Sequence, residues 1–159
     1  MSDRILLIGE ANPFGGDSYY ALYPVPTGCA GWRLCHIAFG MYASDYLKIF
    51  DRVNLCPAHW RDAAAKDEAA RLRAESRDGR MVFCGAKVAR AFGLPFEPFC
   101  RRGPNNNWLI LPHPSGKNRL WDKPDAVALT RQALLKMAPE LEPVVGRADR
   151  LYVDKSATK

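Results

Sequence analysis

Three short stretches hold the residues of this chain that could do chemistry. The first is Gly9-Glu-Ala-Asn-Pro-Phe-Gly-Gly16, with a carboxylate at Glu10, an amide at Asn12 and an aromatic ring at Phe14. The second is Asn54 and the third is His113-Pro-Ser-Gly-Lys-Asn-Arg119. A flat ring and a side-chain amide are what recognition of an extruded base requires. Ser115, the Gly116 backbone N–H, Asn118 and Arg119 are of types that commonly meet phosphate, and Lys117 carries charge beside them. Other chemistries are poorly served. Ser115 and His113 do not sit on a nucleophile elbow, so they make no hydrolase pair. Gly15-Gly16 and Gly28–Gly31 are not followed by Gly-Lys-Ser/Thr, which removes a phosphate loop of that kind. His36 and His59 have no paired ligand and read as ordinary helix-associated histidines.

The elements around these stretches alternate. Arg4–Gly9 is a continuous apolar run ending in glycine, the pattern of a buried parallel strand. The segment from Gly9 to about Gly31 is too long for a plain connector, and loops of that length are usually functional. Trp32–Met41 and Tyr46–Phe50 have helical spacing, and Asp51–Cys56 is a strand stopped by Pro57. A helix is expected from about His59 to Ser76, its charges paired as Asp62 with Lys66 and Asp67 with Arg71 on a solvated face. Arg80–Cys84 is a strand closed by Gly85, Ala86–Phe92 a helix stopped at Gly93, and Trp108–Leu111 a fourth strand closed by Pro112. Arg101-Arg102 reads as a solubilising edge loop in preference to a further phosphate contact. Asp122 is expected to cap a last helix with Pro124 in its first turn, running to about Met137. Such alternation implies an α/β domain whose ligands bind beyond the carboxyl ends of the strands. The three stretches follow strand ends.

Composition narrows the class. With 159 residues, 48% hydrophobic and 25% charged, the chain fits one globular domain. No apolar run approaches the ~18 residues of a membrane span, and Glu10 ends the first apolar stretch too early for a signal peptide. A cytoplasmic protein without a membrane partner is expected. Cys29, Cys35, Cys56, Cys84 and Cys100 are an odd, scattered set of five that suits free thiols. The formal charge of +6 draws the chain toward phosphate.

The order and spacing of Gly9-Glu-Ala-Asn-Pro13, Asn54 and His113-Pro-Ser-Gly-Lys-Asn-Arg119 resemble the uracil-DNA glycosylase superfamily over roughly residues 4–137. The resemblance implies a three-layer α/β/α sandwich with a four-stranded, largely parallel sheet over residues 1–138, followed by a loosely held tail, 139–159. It implies hydrolytic removal of uracil or a modified pyrimidine from DNA by a monomer, with no metal and no redox cofactor. In that comparison His113 stabilises the departing base, and Glu10 or Asn12 positions the water, an assignment the residues leave open. Phe14 stacks on the base and Asn54 reads its edge, while Tyr20 and Tyr23 either line the same pocket or pack within their Pro-rich loop. Ser115, Gly116, Lys117, Asn118 and Arg119 hold the strand. Two departures stand out. Asn12 separates Ala11 from Pro13, and Lys117 occupies the place of an apolar wedge, which favours single strands or weak pairs. The paired cysteines of the iron–sulfur branch are absent ahead of the first strand. An enzyme acting on 5-substituted pyrimidines in phage or antiphage DNA chemistry, and a DNA-binding module without catalysis, are the alternative expectations.

Overall fold

Residues 4–12, 17–76 and 79–149 are described by the structure, a computed structural model. Among the described residues five strands form one sheet in the order β2-β1-β3-β5-β4. These are β1 (Ile5–Ala11), β2 (Phe50–Cys56), β3 (Met81–Cys84), β4 (Arg101–Arg102) and β5 (Trp108–Leu111). Four run parallel, in a register that pairs Gly9 with Asn54, Ile8 with Phe83 and Cys84 with Leu111. β4 pairs antiparallel with β5, Arg101 opposite Leu109. The sheet therefore has five strands and is mixed, correcting the expected four. Two arginines on a sheet edge carry no apolar pattern, so nothing in their composition marks them as a strand.

β3 and β5 are continuous apolar runs, as is the first half of β1, because both their faces are buried, whereas the outer strand β2 carries Asp51, Arg52 and Asn54. Alternate residues feed separate cores. Ile5, Leu7, Val82, Cys84, Leu109 and Leu111 meet Leu34, Phe39, Tyr46 and Leu134. Ile8, Met81, Phe83, Trp108 and Ile110 meet Ala65, Ala69, Leu72, Val88 and Phe92. The first core is covered by α1 (Ala30–Trp32) with the π-helical turn Arg33–Ala38, by α2 (Ala43–Ile49) and by α5 (Pro124–Met137). The second is covered by α3 (Asp62–Glu75) and α4 (Ala86–Ala91). Among the described residues no helix is long and apolar enough to cross a membrane.

Several local expectations change. Lys123, without a side-chain hydrogen bond, is the N-cap of α5, and Pro124 takes its first turn. Asp122 instead lies in the 3-10 turn Arg119–Asp122 and pairs with Arg119. On α3, Arg71 pairs with Glu68 and Glu75 rather than Asp67. The tail is held at least as far as Asp149. Leu141 and Ala148 are buried, and the N–H groups of Gly146 and Ala148 donate to the carbonyls of Phe39 and Gly40. Arg131 clamps Asp149 through two bonds of 2.6 and 2.9 Å. Short polar sequences with weak periodicity concealed this packing.

Candidate active site

β1, β3 and β5 are neighbours in the sheet, so the residues that follow them meet at one end. Glu10 lies near the end of β1, Gly85 follows β3 and His113 stands just beyond β5. Glu10 Oε2 is 3.6 Å from His113 Nε2. That separation is longer than a hydrogen bond, so neither group is committed to the other and each can turn to a third partner beside them. Gly85 forms the floor beneath both. Its φ is +107°, and a Cβ there would stand 3.1 Å from His113 Cδ2 and 3.4 Å from Glu10 Oε1. Only glycine combines this backbone with the close approach.

The imidazole is fixed from behind. The Ser115 backbone N–H donates to His113 Nδ1 at 3.2 Å. With Nδ1 accepting, the assigned ring proton lies on Nε2, on the side of Glu10. Asn118 Nδ2 and Trp121 Nε1 both donate to the His113 carbonyl, at 3.0 and 2.9 Å. Trp121 is buried in the first core, so this anchor connects the loop to the body of the protein. Below the floor, burial pushes the Cys84 thiol up to about 12, with the Glu10 carboxylate adding to the effect. The thiol is thus inert packing rather than a nucleophile.

A second group of predicted residues gathers beside this cleft. Asn12 and Asn54 share a pocket of about 350 Å³ with Asp17, Ala21, Glu68 and Arg71. Asn54 sits opposite Gly9, where a Cβ would come within 2.4 Å of Asn54 Oδ1. Glycine two residues before the end of β1 therefore makes room for the amide. The geometry separates the two water-positioning candidates, with Glu10 beside His113 and Asn12 beside Asn54.

The remaining predicted residues take other places. Phe14 lies outside the described residues. Tyr23 joins Tyr19 and Tyr20 in a ring cluster with centroid distances of 5.2–5.6 Å, and Arg52 lies 5.3 Å over its ring. It is not among the residues that line the Asn12–Asn54 pocket. Ser115 contributes its backbone to His113, while Gly116 and Lys117 are exposed at the loop tip. Arg119 is 88% exposed and lies 3.3 Å from Asp122. Asn118, expected to hold the strand, is engaged within its own loop. Its amide is committed to His113, and its Oδ1 accepts from the Leu120 N–H at 3.1 Å.

Sequence reasoning missed Gly85, Trp121, Glu68 and Arg71. A glycine at a strand end could have signalled the floor. Nothing in the sequence separates Glu68 and Arg71 from the other charges of α3. No protein-family model matches the chain, and no curated protein or solved structure is significantly similar to it.

Proposed function

We propose that this protein is a DNA glycosylase that hydrolyses the N-glycosidic bond of uracil or a modified pyrimidine, within a three-layer α/β/α arrangement. The observation that carries this reading is the 3.6 Å approach of Glu10 to a His113 whose Nδ1 is already occupied by the Ser115 N–H. Breaking the bond leaves negative charge on the base and positive character on the sugar. His113 Nε2–H is the donor for the base oxygen as that charge develops. A fixed donor of this kind contributes about 3 kcal/mol to the transition state. Glu10 accepts a proton from the attacking water and faces the electron-poor sugar carbon. Asn12 and Asn54 then read the base edge from the adjoining pocket. No metal or redox cofactor takes part in this scheme, DNA is the partner and the monomer is the acting unit. Lys117, in place of an apolar wedge, favours single-stranded or weakly paired sites, and the site of action is the cytoplasm.

The test is incubation with single- and double-stranded oligonucleotides carrying uracil or 5-hydroxymethyluracil, scored for alkali-sensitive strand breaks. Breaks with the natural chain, reduced by about 10²-fold in His113→Ala, support the reading. Binding without breaks on every substrate would make the protein a DNA-binding module instead. One observation favours a narrower substrate. The pocket of Asn12 and Asn54 is also walled by Asp17, Glu68 and Arg71. Such charged walls suit a polar substituent at C5 better than the bare ring of uracil, and faster cleavage of the 5-substituted substrate would establish that preference.

A further inference from the structure

A second groove opens on the face of the sheet covered by α3 and α4. It encloses about 570 Å³ and is lined by Trp60, Asp62, Lys66, Lys87, Arg90 and Ala91. We infer that this groove binds the phosphodiester backbone of the DNA strand flanking the nucleotide presented to Glu10 and His113, an assignment that rests on the function proposed above.

Position is the first argument. Lys87 lies in the first turn of α4, two residues after the Gly85 that floors the Glu10–His113 cleft. Trp60 follows β2 at the same, carboxyl end of the sheet. The groove therefore starts beside the cleft and leads away from it between two helices.

Charge is the second. Among the described residues Lys66, Lys87 and Arg90 make no ion pair, whereas Arg4, Arg71, Arg80, Arg102 and Arg131 are each held by a carboxylate. The expected pairing of Lys66 with Asp62 does not form. Asp62 is the acidic residue lining the groove, and its Oδ1 accepts a 2.7 Å hydrogen bond from Trp60 Nε1. That bond also fixes the indole, over which Lys87 Nζ sits 5.7 Å from the ring centre. Three cations on two helices, spread along an open channel, suit a chain of phosphates better than one discrete anion. The net charge of +6 has the same sign.

The test uses the full chain and a fluorescein-labelled single strand of thymidines, about 20 nucleotides long, followed by anisotropy across a potassium chloride series. Each phosphate contact on a single strand adds about 0.7 to the salt slope, so replacing three cations should lower it by about 2. The variant combines Lys66→Gln, Lys87→Gln and Arg90→Gln. The control combines Lys48→Gln and Lys136→Gln at the opposite end of the sheet, and it should keep the natural slope. A triple variant with natural affinity and slope, or a natural chain that binds no strand, would overturn the assignment. So would displacement of the strand by inorganic phosphate beyond the effect of chloride at equal ionic strength, which would indicate a discrete anion site. Alkali-sensitive cleavage is read separately. Loss of slope in a chain that cleaves nothing leaves the groove standing without the glycosylase. Cleavage with an unchanged slope leaves the glycosylase without the groove.

Discussion

Asn118 holds His113 from behind, its amide donating to the His113 carbonyl at 3.0 Å while its oxygen accepts from the Leu120 N–H at 3.1 Å. One side chain thus ties the residue that faces the cleft to the turn that follows it. A loop whose serine, asparagine and two cations look made for phosphate spends part of its polarity on fixing an imidazole. Asn118→Ala should lower the single-turnover cleavage rate by roughly 10- to 100-fold through misplacement of His113. Affinity for an uncleavable strand should stay nearly unchanged. Asn118→Asp should behave alike, because a carboxylate cannot donate to the carbonyl. A loss confined to DNA affinity would return Asn118 to a phosphate-gripping role.

The division of labour proposed for Glu10 and Asn12 rests on their surroundings. Glu10→Gln keeps the shape of the cleft and removes the proposed proton acceptor, so the chemical step should fall by about 10²-fold or more. Asn12→Ala should chiefly weaken substrate recognition, seen as a raised KM or altered base preference with a smaller change in kcat. Rates at saturating substrate separate the two. The reverse ranking would give the water to Asn12.

Gly85→Ala should damage stability and activity together. A residue held at φ +107° with a Cβ costs about 1–3 kcal/mol, and that Cβ would press on the His113 ring. The expected result is a lower urea midpoint and a cleavage rate reduced beyond what the remaining folded fraction explains. An alanine variant of natural stability and rate would remove Gly85 as the floor of the cleft.

Alkaline pH should weaken the fold through its buried thiols. Burial pushes Cys35 and Cys84 each up to about 12, with the charges of Asp45 and Glu10 respectively adding to the shift. In the unfolded chain both titrate near their ordinary value of 9.0. Their contribution is therefore complete below pH 9 and is lost as the pH rises toward 12, because the unfolded state sheds protons first. Each thiol lowers stability by up to about 1.4 kcal/mol per pH unit within that window. Urea midpoints at pH 8 and pH 10.5 measure the slope, and Cys84→Ala should flatten it. An equal slope in that variant would assign the alkaline loss to other groups. At pH 8 a thiol reagent should reach exposed Cys100 ahead of Cys35 and Cys84.

The sequence by itself determined the parallel core and the identity of the residues at its carboxyl end. Runs such as Ile5–Ile8, Met81–Cys84 and Trp108–Leu111 are apolar on both faces, and only a doubly covered sheet buries such strands. Glycine or proline ends each of the four strands read from the sequence, which placed Glu10, Asn54 and His113 near their carboxyl ends. Tertiary structure decided what single residues cannot encode. β4 exists because Arg101 and Arg102 find β5 beside them, not because they prefer a strand. The charges of α3 are uniform along the chain, yet folding turns Glu68 and Arg71 toward Asn54 and leaves Lys66 facing Lys87 across a groove. Glu10 and Asn12 look interchangeable at a spacing of two. Adjacency of β1, β3 and β5 gives the first to His113, and the outer position of β2 gives the second to Asn54. Which residues can reach one another depends on strand order, and strand order is a property of the packed sheet rather than of any local segment.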